Sequence, residues 1–215
     1  MGSMEAELKI LDWIQGMRTP VGDAVMCFIT RLGDGGIIWI VLAVILLLIP
    51  EKSYRSVPVW PFGSNTEKSC KHSISGWLSG RDTRRTGIIL LAALCVDIIL
   101  CNGILKNLFC RIRPCDVNTS IQLLIARPDD FSFPSGHTAA SFAAVAALYF
   151  SGEKSLWKLA LVPASLIAFS RLYLYVHYPT DILGGILIGC VAGYAGYRIA
   201  GKLEDKRKGM TKCRL

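Results

Sequence analysis

Five long stretches of this chain carry almost no charge, and no other feature limits its possible folds so severely. Residues 37–49, 87–105, 139–150, 156–168 and 182–200 are nearly all apolar. A hydrocarbon slab roughly 30 Å thick is crossed by about 20 apolar residues in a helix, and by fewer when polar ends reach toward the interface. Several of the stretches reach that length once their flanks are counted. Backbone polar groups in lipid must be satisfied within the segment, which selects helices for runs of this kind. The mean hydropathy of +0.43 agrees. The expected fold is therefore all-α, a polytopic membrane helix bundle with about five or six transmembrane helices.

The segments between these runs set the organisation. Leu8, Ile10, Leu11, Trp13, Ile14 and Met17 form one apolar face with charged residues between, the pattern of a helix lying in the interface. Pro20 suits the first turn of a second helix, and residues 21–32 are apolar but short, either re-entrant or a tilted span. Gly33-Asp34-Gly35-Gly36 reads as a turn before the run at 37–49. Further spans are expected at 86–109, 137–150, 156–175 and 182–200. Residues 53–80 are rich in Ser, Gly and Pro and show no helical period. They read as an atypical inserted loop, natural or engineered, within a single membrane domain over 4–215. Met1-Gly2-Ser3 ahead of Met4 reads as a leftover of recombinant expression, and no cleavable signal peptide is expected.

The net charge of +8 raises the question of a nucleic-acid partner, but its placement argues against one. Lys52, Arg55, Lys68, Lys71, Arg81, Arg84 and Arg85 form one group, and Lys202, Lys206, Arg207, Lys208, Lys212 and Arg214 another. Both flank apolar spans, where cytoplasmic basic residues concentrate. The connections at 110–136 and 176–181 then face the other side. None of the eight cysteines forms a Cys-x-x-Cys pair. Cys110 and Cys115 could bridge in an oxidising compartment, although free thiols are the simpler reading.

Three motifs fall at that second face. Lys106-x6-Arg113-Pro114 closes the span that begins near residue 86, and both cations share a helix face if the helix continues to Pro114. Pro134-Ser135-Gly136-His137 precedes an Ala-rich span. There Ser135 suits an N-cap, Gly136 permits close approach of an anion, and free amides with the helix dipole favour negative charge. Ser170-Arg171-x5-His177-x3-Asp181 contains Pro179, so His177 is expected on a turn, with Asp181 opening the last span. An aspartate that accepts the proton of one imidazole nitrogen leaves the other nitrogen as a nucleophile. Each motif alone has an ordinary explanation: interfacial snorkelling, helix capping, a satisfied histidine. Together they bring three fixed cations and two of only three histidines to one membrane face, the chemistry for a phosphate dianion. No metal-ligand spacing is present, and Asp116, Asp129 and Asp130 read as solvated residues on a polar loop. Asp97 lies within a span, where Asn102 is the expected hydrogen-bond partner.

In their order and spacing, the three motifs resemble the type 2 phosphatidic acid phosphatase superfamily, which also contains the vanadium haloperoxidases. The resemblance is close over 86–200. It implies that His177 attacks phosphorus, that Asp181 orients it, and that His137 protonates the leaving oxygen and then activates water. It implies that Lys106, Arg113, Arg171, Ser135 and the Gly136 amide hold the phosphate oxygens, with no metal or cofactor. The implied substrate is a lipid phosphate or diphosphate in the bilayer, such as undecaprenyl diphosphate, phosphatidate or phosphatidylglycerophosphate. The implied location is a bacterial plasma membrane, with the site on the extracytoplasmic side. Phosphotransfer to another lipid, a vanadate-dependent haloperoxidase and a non-catalytic lipid-binding or transport protein are the alternatives.

Overall fold

The computed structural model describes residues 2–49, 83–153 and 155–212; the expected insertion at 53–80 lies outside them. The described residues are helices and short connections with no strand. In chain order they are α1 (Gly2–Gln15), α2 (Pro20–Leu32), a 3-10 turn (Asp34–Gly36), α3 (Ile37–Leu48) and α4 (Thr83–Asp97). A π-helical segment (Ile98–Leu105) carries α4 into α5 (Lys106–Phe109), followed by α6 (Pro114–Val117), α7 (Gly136–Phe150), α8 (Leu156–Tyr173) and α9 (Pro179–Lys212).

Among the described residues, three segments are long and apolar enough to cross a bilayer: Thr83–Val117, Leu156–Tyr173 and Pro179–Glu204. Pro20–Leu32 and Asp34–Leu48 pass the same test only as a pair bent by 46°, and Gly136–Phe150 is apolar but shorter. The bend has a local cause. Gly35 and Gly36 sit at φ 57° and 69°, in the left-handed region where a side chain is costly.

α9 packs chiefly on α7 and α4, α7 also on α8, and α3 on α4. Small residues permit this, because lipid supplies no hydrophobic drive between helices and close backbone approach must hold them. A methyl group on Gly193 would stand 2.5 Å from Ala146 Cβ, and one on Gly196 would stand 2.5 Å from Ala93 N. One on Gly189 would run into Ala139 O and lie 2.8 Å from Ala143 N. Gly189→Leu should therefore wedge α9 from α7, destabilising the bundle by at least about 1–3 kcal/mol. A thermal-unfolding midpoint in detergent that matches the unsubstituted protein would contradict this packing.

α1 lies against the other end of the bundle. Leu11 and Ile14 are buried with Tyr173, Leu174, Tyr175, Val176 and Tyr178. Gln15 Nε2 donates to Tyr173 O at 2.7 Å, and Tyr175 Oη donates to Asp12 at 2.7 Å. α1 thus holds the turn that carries His177.

Candidate active site

Lys106 opens α5, His137 stands in the first turn of α7, Arg171 in the last turn of α8 and Asp181 in the first turn of α9. The first three, together with Arg113, Gly136 and His177, line one cavity of about 390 Å³. The route to Arg113 differs from the expected continuous helix. The helix stops at Phe109 because Cys110 turns left-handed (φ 46°, ψ 35°), and Pro114 begins α6 rather than ending a helix. Arg113 therefore enters on extended chain.

His177 is 1% exposed. Arg113 Nη1 donates to its Nε2 at 3.2 Å, and Arg113 can only donate, so Nε2 presents its lone pair and Nδ1 carries the proton. Nδ1 faces Asp181 Oδ2 at 3.4 Å, long for a hydrogen bond; such contacts often tighten only when substrate binds. Burial pushes the His177 imidazole down to about 3; Asp181 opposes the shift, and Arg113 and Arg171 add to it. The His177 imidazole is thus neutral at physiological pH. Its unfolded counterpart takes up a proton near 6.5, so this group's contribution to stability is complete above about pH 6.5 and is lost as pH falls toward 3.

Asp181 is fully buried and held from several sides. Oδ2 accepts from Ser132 Oγ at 2.5 Å and the Tyr178 amide at 2.9 Å, and Oδ1 accepts from Arg111 Nη1 at 2.5 Å. The Ser135 amide donates to the Asp181 carbonyl at 3.1 Å, tying the second motif to the third. Ser135 is buried at the N-cap position, but its side chain makes no capping bond; its Oγ accepts instead from Thr138 at 3.0 Å. Among the residues expected to hold phosphate, Ser135 is the one that does not line the cavity.

The cationic wall has an internal occupant. Both Lys106 Nζ and Arg113 Nη2 bond the carboxylate of Asp130. Asp130 stays on the loop and half exposed, as expected, but it is paired as well as solvated. Burial alone would raise its carboxyl, but Lys106 and Arg113 outweigh that and hold it at about 2. Asp116 is paired as well, with Arg127 at 2.8 Å. Arg171 Nη1 donates to Thr30 Oγ1 at 2.6 Å, while its buried Nε has no partner. His137 Nε2 lies 2.8 Å from Asp34 Oδ1, in the glycine turn between α2 and α3. A methyl on Gly136 would stand 3.2 Å from Asn102 Oδ1 and 3.7 Å from Lys106 Nζ, so a side chain there would crowd that approach.

Asp34, Thr30, Arg111, Ser132 and Glu7 were not singled out from the sequence. Asp34 carried a signal, an acid in a glycine turn at a span boundary. The expected pairing of Asp97 with Asn102 is absent: the Asp97 Oδ1 is buried without a partner, and both residues line the cavity. Cys110 and Cys115 are both free thiols.

The chain is similar to several curated proteins and solved structures. An undecaprenyl-diphosphatase of Sulfolobus acidocaldarius is 31% identical over 117 residues, 54% of this chain and 56% of the relative. The undecaprenyl-diphosphatase BcrC of Bacillus subtilis is 28% identical over 128 residues, 60% of this chain and 65% of the relative. The chain thus spans between about half and two thirds of the length of these relatives. The crystal structure of a transmembrane PAP2 type phosphatidylglycerolphosphate phosphatase from Bacillus subtilis superimposes with a TM-score of 0.64 at 25% identity, covering 94% of this chain and 87% of that one. Aquifex aeolicus LpxE gives 0.63 at 25% identity, over 89% and 94%. The sequence pattern of the PAP2 superfamily matches residues 86–205, more than half of the chain and all three motifs, so this protein belongs to the PAP2 superfamily.

Proposed function

We propose that the protein hydrolyses a lipid phosphate or diphosphate through a phosphohistidine, without a metal ion. The observation that carries this reading is the His177 imidazole, with its Nε2 lone pair turned toward Arg113 on the wall of a cavity shared with Lys106, Arg171 and His137. Phosphoryl transfer needs positioning and charge stabilisation above all, and three fixed cations supply both.

In the first step His177 Nε2 forms a bond to phosphorus as the bond from phosphorus to the leaving oxygen breaks. His137 gives its proton to that oxygen. In the second step His137 takes a proton from water, whose oxygen displaces Nε2 and releases inorganic phosphate. The Asp34 carboxylate, 2.8 Å from His137 Nε2, holds the ring in place for this transfer. Relatives named undecaprenyl-diphosphatase and phosphatidylglycerophosphatase B support lipid substrates, with a polyprenyl diphosphate or a phosphatidate-type lipid as the class. Basic residues at 52–85 and 202–214 support a cytoplasmic loop and tail, and hence a site facing the outer side of a bacterial plasma membrane.

Protein purified in detergent and assayed across prenyl diphosphates, phosphatidate and phosphatidylglycerophosphate is expected to release phosphate in the presence of EDTA. Loss of turnover on chelation would overturn the metal-free reading, and no release from any of the lipids would overturn the phosphatase reading itself. A second expectation concerns Asp130, whose carboxylate stands where phosphate oxygens would bind and is anionic at any working pH. Asp130→Asn removes the competing charge and should lower the inhibition constant of vanadate roughly tenfold, about 1.4 kcal/mol. Weaker vanadate inhibition in that variant would mean that Asp130 supports the cradle rather than competing for it.

A further inference from the structure

We propose that Arg111 and Glu7 are positioning residues for the nucleophile, so that the N-terminal helix α1 works as part of the active site. The inference rests on the phosphatase reading above and deepens it.

Glu7 is 7% exposed, although it belongs to a helix whose other charged residues face outward. An acid buried so far must be paired. Its Oε2 accepts from Arg111 Nη2 at 2.6 Å, and its Oε1 accepts from the Thr180 amide at 3.0 Å and the Thr180 hydroxyl at 2.6 Å. The other arm of the same guanidinium, Nη1, donates to Asp181 Oδ1 at 2.5 Å and to Thr180 Oγ1 at 2.6 Å. The guanidinium lies over the Tyr178 ring with Cζ 4.0 Å from its centroid. Arg111 therefore spans two carboxylates from opposite ends of the chain, one on α1 and one behind His177.

The consequence for His177 follows from geometry. With Oδ1 fixed by Arg111, and Oδ2 fixed by Ser132 and the Tyr178 amide, the Asp181 carboxylate cannot rotate. Oδ2 then stays turned toward Nδ1, which keeps the proton there and the lone pair on Nε2. Arg111 touches neither the cavity wall nor the phosphate-holding cations, so its loss should slow the chemical step without weakening anion binding. A lysine cannot reach both carboxylates at once, because it is a point charge rather than a fork.

The test compares Arg111→Lys, Arg111→Ala and Glu7→Gln in the full-length protein in detergent. Outer-layer partners that orient an imidazole typically carry about 10–100-fold. On that scale kcat should fall roughly tenfold in Arg111→Lys and Glu7→Gln and about 100-fold in Arg111→Ala, with KM and vanadate inhibition within about twofold of the parent. Added guanidinium ion should restore part of the rate to Arg111→Ala and none to Arg111→Lys. In protein carrying ¹⁵N-histidine, His177 should be the Nδ1–H tautomer in the parent and a mixture of tautomers in Arg111→Ala.

Unchanged kcat in Glu7→Gln and Arg111→Lys would overturn the proposal. So would a loss that appears in KM and vanadate affinity instead, or a His177 tautomer indifferent to Arg111. The tautomer needs no turnover to be read. A parent protein that hydrolysed no lipid phosphate would therefore end the phosphatase reading while the comparison still decided the role of Arg111.

Discussion

His177→Ala is expected to lower kcat by about 10,000-fold or more, equivalent to roughly 5.5 kcal/mol of transition-state stabilisation. The size follows from what the imidazole contributes. It supplies a neutral nitrogen lone pair on the cavity wall, with Arg113 in front of the ring and Asp181 behind it. Water entering the space left by alanine would have to be deprotonated and aligned against a cationic wall, with no fixed base opposite the leaving group. Lys106, Arg113 and Arg171 remain, so vanadate and phosphate should still bind. A rapid-quench assay should find no acid-labile phosphoprotein in the variant. Turnover within tenfold of the parent, or a phosphorylated protein without His177, would remove the nucleophile from the scheme.

Asp181→Asn carries the second largest expected effect, about 1,000-fold or more in kcat with KM little altered. In other enzymes, exchanging the carboxylate behind a catalytic imidazole for an amide leaves the wrong tautomer in place and costs about 10,000-fold. Here an amide nitrogen directed at Nδ1 would donate to it and move the ring proton to Nε2, removing the lone pair that attacks. An amide oxygen directed at Nδ1 would preserve the tautomer but turn the NH₂ group toward the Arg111 guanidinium, donor against donor. Either orientation is costly, which is why a nearly isosteric exchange should act so strongly. The check is single-turnover formation of the phosphoprotein together with vanadate affinity. Phosphorylation at the parent rate would show that Asp181 serves the fold rather than the imidazole.

Much of the arrangement was written locally. The charge-free runs announced the helices, since the length of an apolar run and the absence of ionisable groups act residue by residue. Pro179 in the third motif placed His177 on a turn, because proline removes a helix donor wherever it falls. Ser135 and Gly136 marked the start of α7, although the serine hydroxyl turned to Thr138 rather than to the helix amides. Lys106 and Arg113 show the limit of local reasoning: their spacing suggested one helix face, whereas the left-handed residue at Cys110 brings Arg113 in on extended chain.

By itself, then, the sequence determined that this chain is an all-helical membrane protein of the PAP2 superfamily and which residues hold its three motifs, because hydropathy, periodicity and motif spacing are properties of short segments. Only the tertiary structure decided the partners: Asp34 for His137, Asp130 for Lys106 and Arg113, and Glu7, through Arg111, for Asp181. These pairs join residues up to 174 positions apart, as Glu7 and Asp181 are. A charge buried at a helix end takes whichever opposite charge the packing of other helices brings within reach, and no local pattern encodes that choice.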